Sequence, residues 1–237
     1  MCTVTILPIG NNDFVLTSNR DEAPDRLSLV PEFYTVKGKT LLFPKDIKGG
    51  TWIGVSENNR VVCVLNGGFK KHERKASYRK SRGIVANDFM VCETIVPTVE
   101  AYNLEDIEPF TMVIADWNSG LKFYELVWDG KYKHFVALPL ESRIWSSSTL
   151  YSEGMQKERQ IWFEHLEAFN AEVMLAFHSK KDENNLDYGV VMDRGFVKTT
   201  SITQVNKQGN SVGMRYESLE NNKVATKTFN LPEVVNG

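Results

Sequence analysis

Cysteine is scarce in this chain: three residues in 237, at irregular spacings and with no C-x-x-C pair. That excludes a disulfide framework and a thiolate zinc knuckle, and it suits a reducing compartment. No apolar run approaches the ~18 residues that would span a bilayer. The N-terminus, Met1-Cys2-Thr3-Val4-Thr5-Ile6, lacks the basic and apolar regions of a secretory signal, so a cytoplasmic location is expected. Positive charge is not in excess either: 28 basic against 30 acidic side chains leave a net charge of −2, and no nucleic-acid partner is expected. There is no G-x-G-x-x-G after a strand and no G-x-x-x-x-G-K-[ST], which removes dinucleotide and nucleoside-triphosphate chemistry. His72, His134, His165 and His178 stand far apart, without an H-E-x-x-H pair, and no G-x-S-x-G elbow exists. No metal and no cofactor are expected. An enzyme built on this chain must take its nucleophile from elsewhere.

What is present reads as a globular chain with 42% apolar and 24% charged residues. No linker or repeat interrupts it, so residues 1–237 are expected to form a single domain. Alternating text predicts strands over 2–9 and from Phe14 onward, across the turn Gly10–Asp13, and a second hairpin pairs 52–55 with 61–65. Further strands are expected at 110–117, 121–128 and 131–138, with Asp129-Gly130 as a two-residue hairpin turn, and near 197–205, 211–218 and 223–230. Helices are expected over 82–95, capped by Ser81 and followed by Pro97, and over 153–178, broken near Asn170. The order strands, helix, strands, helix, strands lacks regular βαβ alternation. It predicts an α+β fold of antiparallel sheets flanked by helices.

Cys2 is the candidate nucleophile. Trimming of Met1 would leave cysteine at the N-terminus, where the α-amine, with a reference pKa of ~7.7–8.0, serves as base for the adjacent thiol. Position alone also suits a small residue that opens a strand. If Ile9 faces Phe14 across the turn, Thr3 faces Arg20 and Cys2 faces Asp21; a one-residue slip exchanges the two. A guanidinium there favours the thiolate, and a carboxylate holds the amine. Asn66, at the end of the strand over 61–65 and before Gly67-Gly68, is an oxyanion-hole candidate or a plain strand-ending turn. Cys63, inside a strand, and Cys92, on an apolar helix face, are expected to be sheltered.

Met1-Cys2-Thr3, Thr17-Ser18-Asn19-Arg20-Asp21-Glu22, Gly49-Gly50-Thr51-Trp52-Ile53-Gly54-Val55, Leu65-Asn66 and Ser81-Arg82-Gly83 together resemble the NRDE, or transport and Golgi organisation 2-like, family. The match is dense over residues 1–83 and faint afterwards. The resemblance implies an N-terminal-nucleophile (Ntn) hydrolase fold, a four-layer αββα sandwich of two antiparallel sheets flanked by helices, related in plan to cysteine penicillin and bile-salt acylases. It further implies Cys2 as nucleophile, Arg20 and Asp21 as partners of thiol and amine, and Asn66 at the oxyanion. Two departures stand out. Ser147, in Trp145-Ser146-Ser147-Ser148-Thr149, takes the place of an orienting asparagine, and Lys198-Thr199-Thr200-Ser201 lacks an arginine often found there. The implied function is hydrolysis of a non-peptide carbon–nitrogen amide bond in a small-molecule substrate. The alternative is a non-catalytic carrier of a hydrophobic ligand, haem or an acyl thioester, as in the secretory-pathway roles linked to relatives.

The basic run from Lys70 to Arg82, opposed only by Glu73, reads either as a solvated loop or as a positive rim that steers an anionic substrate or a membrane surface.

Overall fold

The computed structural model describes residues 2–230, with Cys2 described by its backbone alone. Among these described residues thirteen strands and four helices follow the order of the chain. Strands β1 (Cys2–Ile9) and β2 (Asp13–Glu22) form the first hairpin. Next come β3 (Glu32–Val36), β4 (Lys39–Phe43), β5 (Ile53–Ser56) and β6 (Arg60–Asn66). Helices α1 (Arg82–Val91) and α2 (Ile95–Ala101) precede β7 (Phe110–Asp116), β8 (Lys122–Trp128), β9 (Lys133–Leu138) and β10 (Arg143–Ser146). Helices α3 (Glu153–Glu164) and α4 (Ala171–Ser179) lead to β11 (Lys198–Gln208), β12 (Ser211–Ser218) and β13 (Val224–Asn230).

Two antiparallel sheets result, one in the order β10-β1-β2-β11-β12-β13 and one in the order β3 to β9. Strand alternation explains how they pack. Val4, Ile6, Phe14 and Leu16 point from the first sheet into a core shared with Ile53, Val55, Val61 and Phe123 of the second. Their neighbours Leu7 and Val15 point the other way, onto Phe163, Met174 and Phe177 of α3 and α4. On the outer face of the second sheet lies α1, so close to β5 that a Cβ on Gly54 would meet Met90 Sδ at 2.6 Å. The layers are therefore helix, sheet, sheet, helix, as expected.

Several boundaries differ from the sequence reading, each for a local reason. The 153–178 helix is two helices, and Asn170 accepts from Val173 N to cap the second. Helix α1 stops at Val91, and Pro97 sits inside the first turn of α2, where its missing N–H costs nothing. Asp129 Oδ1 accepts from the amides of Lys131 and Tyr132, both at 2.7 Å, which makes a four-residue loop of the expected Asp-Gly turn. Strands β3, β4 and β10 escaped the sequence reading altogether: β3 is an edge strand with two of its five residues half-buried and none buried, so no alternation marks it.

Arg60 ties the second sheet to its helix. Fully buried on β6, it donates Nε to Asp116 Oδ2 at 2.8 Å and Nη1 to the carbonyls of Phe89 at 3.0 Å and Cys92 at 2.6 Å, at the end of α1. It shares those acceptors with Asn58 Nδ2, 3.2 Å from the Cys92 carbonyl, and with Cys92 Sγ, 3.2 Å from the Phe89 carbonyl. Arg60→Ala removes the buried counter-charge of Asp116 and one donor from each carbonyl, and urea unfolding is expected to show a loss of about 3–5 kcal/mol; a loss below about 1 kcal/mol would mean that water replaces the guanidinium at no cost.

Candidate functional site

The turn between β1 and β2 holds three residues, Gly10-Asn11-Asn12, with Gly10 at φ +60°. Ile9 therefore pairs with Asp13, and the register carries Thr3 to Asn19 and Cys2 to Arg20. The expected pairing of Cys2 with Asp21 is corrected by one residue. On the other side β1 pairs with β10, Thr3 opposite Ser146, which leaves Ser147 next in line beyond the strand end. The thiol of Cys2 and all of Met1 lie outside the described residues.

The slip sorts the Asn19–Glu22 segment between two faces. Arg20 turns to the second sheet, buried, with its guanidinium 4.8 Å from the Trp52 ring centre. Its Nη2 is 2.7 Å from Asp46 Oδ2, and Nη1 donates to the Arg26 carbonyl at 2.9 Å and to Thr200 Oγ1 at 3.2 Å. A bulge in β11 between Thr199 and Ser201 makes that last contact available.

Asn66, the last residue of β6, borders the same space. Among the described residues its side-chain amide makes no hydrogen bond, while its carbonyl accepts from Ser147 Oγ at 2.7 Å. Ser148 Oγ donates to the Gly68 carbonyl at 2.8 Å. Residues 147–148 thus clasp the end of β6, and the intervening Gly67 must be glycine: its φ is +89°, and a Cβ would lie 2.3 Å from Ser148 Oγ. Ser147 therefore binds a backbone carbonyl. Arg20, Asn66 and Trp52 line a cavity of about 250 Å³. Two of the sequence motifs meet in its wall, because Gly83 packs so tightly on Thr51 that a Cβ would approach the Thr51 carbonyl oxygen to 2.8 Å.

Asp21 lies on the other face of β2, fully buried under the helices. It accepts from Tyr151 Oη and Thr199 Oγ1, each at 2.8 Å. Arg159 of α3 lies over the Tyr151 ring, 3.9 Å from its centre. Burial raises the Asp21 carboxyl above the usual carboxylate range, against the opposing pull of Arg159 and of the two hydroxyl donors. Beside this group Asn19 donates Nδ2 to the carbonyls of His178 at 3.0 Å and Val190 at 2.8 Å. Asn19 Oδ1 can only accept, so His178 Nδ1, 2.6 Å away, carries the proton, and Nε2 accepts from Thr5 Oγ1 at 2.9 Å.

Tyr151, Arg159, His178, Asp46 and Thr200 had no local signal as site residues; only the tertiary fold joins them to Arg20 and Asp21. The basic run is largely paired: Arg82 Nη2 reaches Glu108 at 3.0 Å, Lys75 reaches Asp106 at 3.0 Å and Lys80 reaches Asp88 at 3.0 Å. Cys63 is buried, whereas Cys92 is only partly so, which corrects the expectation that both are sheltered.

Two stacked antiparallel sheets between outer helices give this chain the fold of solved Ntn-hydrolase-like structures. The chain resembles a mutant of the conjugated bile acid hydrolase from Clostridium perfringens (TM-score 0.60, 11% identity, 97% of this chain and 93% of that one). It also resembles penicillin V acylase from Agrobacterium tumefaciens (TM-score 0.56, 13% identity, 95% and 85%). A search of the curated proteins gives no match. The family model described as Transport and Golgi organisation 2 matches residues 1–160, and the chain belongs to that family. Among the described residues no helix is long and apolar enough to cross a membrane.

The histidine behind the site gives a direct check. Burial, with Arg159 adding to it, pushes the His178 pKa down to about 3. Between the unfolded value of ~6.5 and that value the unfolded chain binds a proton that the folded one refuses, so this group's contribution to stability falls as pH falls. NMR is expected to show His178 neutral, with the proton on Nδ1, at pH 5. A His178 signal titrating near pH 6.5 would contradict the buried arrangement.

Proposed function

We propose that this protein is an Ntn cysteine hydrolase that cleaves a non-peptide carbon–nitrogen amide bond through Cys2, exposed by removal of Met1. In the proposed reaction the α-amine takes the thiol proton as sulfur attacks the amide carbon. The tetrahedral oxyanion is met by the Asn66 amide, the carbon–nitrogen bond breaks, and the leaving amine receives the proton. Water, deprotonated by the same α-amine, then attacks the thioester, releases the acid and restores the thiol. Arg20 favours the thiolate, and Asp21, from the far face of β2, holds the hairpin end that carries the amine.

The observation that carries this reading is the convergence at one end of β1. Arg20 pairs with Cys2 across the hairpin, and Ser147 clamps the Asn66 backbone while leaving the Asn66 amide unspent. The likeness of the fold to an amide-cleaving acylase adds support at the level of fold alone. A carrier of haem or an acyl thioester would want an apolar cavity at this position, and the charged lining around Arg20, Asp46 and Glu108 suits it poorly.

Intact-mass analysis of the purified protein is expected to show a chain that starts at Cys2 and, with a substrate found by screening, a transient acyl adduct confined to that residue. Asn66→Ala is expected to lower turnover by about 10²–10³-fold, as for loss of one oxyanion donor. Retention of Met1, or hydrolysis that survives Cys2→Ala, would sink the mechanism.

A further inference from the structure

The cavity beside Asn66 carries unbalanced charge. Arg20, Arg26, Lys48, Arg74 and Arg82 line it, against Glu22, Asp46 and Glu108. Asp46 is shared by Arg20 at 2.7 Å and Arg26 at 2.9 Å, and Glu22 pairs with Arg26 at 2.9 Å. Glu108 pairs with Arg82 at 3.0 Å and holds Arg74 only loosely at 3.8 Å. Among the described residues Lys48 has no carboxylate partner. Five cations thus share three carboxylates, and the two least committed, Lys48 and Arg74, stand at the exposed rim.

Uncharged donors converge on the same space. Helix α1 begins in the cavity wall at Ser81-Arg82-Gly83, with no acidic residue in its first turn. Ser81 caps the amide of Ile84, and among the described residues the amides of Arg82 and Gly83 have no acceptor. Trp52, only 7% exposed, lines the cavity and keeps its indole N–H without a partner. A buried donor left unpaired is costly, and a helix N-terminus beside arginines favours a negative group.

We infer that this cavity is an anion subsite, so that the amide substrate carries a carboxylate or phosphate beside its scissile bond and Arg82, Arg74 and Lys48 select it. The cavity of about 250 Å³ suits a small polar head and not a long apolar chain. The reaction part of this statement rests on the amidohydrolase reading; the binding part can be measured without turnover.

The test is calorimetric titration of the full chain carrying Cys2→Ala, with N-acetylglycine, with neutral N-acetylglycinamide, and with inorganic phosphate against acetate as competitors. N-acetylglycine is expected to bind at least tenfold more tightly than the neutral amide. Most of that preference should vanish when Lys48→Gln and Arg74→Gln are added, two exposed positions whose change leaves the core intact. Competition stronger by phosphate than by acetate assigns the group as a phosphate, and the reverse assigns a carboxylate; either supports the subsite. Equal binding of charged and neutral probes, or a preference unchanged in the double variant, overturns it. Selective binding without hydrolysis by the Cys2-containing protein would remove the amidohydrolase reading and leave the anion subsite standing.

Discussion

A three-residue turn decides what each side chain of the Asn19–Glu22 segment can do. Because strand side chains alternate with period two, one more residue at Gly10–Asn12 would exchange the faces of every residue on β2 relative to β1. With the turn as it stands, Phe14, Leu16 and Arg20 look toward the second sheet, and Val15, Asn19 and Asp21 look toward the helices. Everything at the site follows from that parity. Arg20 meets Asp46 and Trp52 across the sandwich, while Asp21 is sealed beneath α3.

The buried polar layer behind β2 makes the alternative register expensive. Among the described residues Arg159, fully buried, has two long hydrogen bonds, to the carbonyls of Gly189 at 3.3 Å and Val190 at 3.4 Å, and no partner for Nε and Nη1. Its charge is answered by the face of Tyr151 and by the nearby Asp21 carboxylate. A slip of β2 by one residue would set Arg20 where Asp21 stands, bringing one buried guanidinium toward another with no carboxylate between them. Removing one member of such a buried pairing costs about 3–5 kcal/mol, which exceeds what a turn alone contributes. The same layer demands a neutral His178, since Asn19 and Thr5 fix which ring nitrogen holds the proton. The polar network reads as a device for holding one register, with Thr199 and Thr200 of the β11 bulge serving Asp21 on one side and Arg20 on the other.

Much of this was legible from residues whose neighbours in space are neighbours in sequence. The first hairpin, the β5–β6 pair, the Ser81 cap, the break near Asn170 and the two-sheet plan all depend on alternation, turn residues and local capping. The register was not, because Gly10-Asn11-Asn12-Asp13 accommodates either a three- or a four-residue loop, and the choice between them is made by α3 and β11. The exposed edge strand β3 and the four-residue strand β10 offered too little pattern to be seen. Among the candidate residues, Arg20, Asp21, Asn66 and Ser147 are gathered near the start of β1, but on two faces and in unequal settings. Asp21 is fully buried, and nothing near it in the chain announces Tyr151 or Arg159. The basic run was ambiguous for the same reason: two of its acidic partners, Asp106 and Glu108, lie beyond α1 and α2.

The hairpin register pairs Cys2 with Arg20, and the proposed mechanism requires that guanidinium to favour the Cys2 thiolate. The rate of Cys2 alkylation as a function of pH, in the Met1-processed protein and in Arg20→Met, tests it most directly. The account predicts an inflection clearly below the ~8.5 of an unperturbed thiol in the parent and a return toward that value in the variant. The same inflection in both proteins would contradict it.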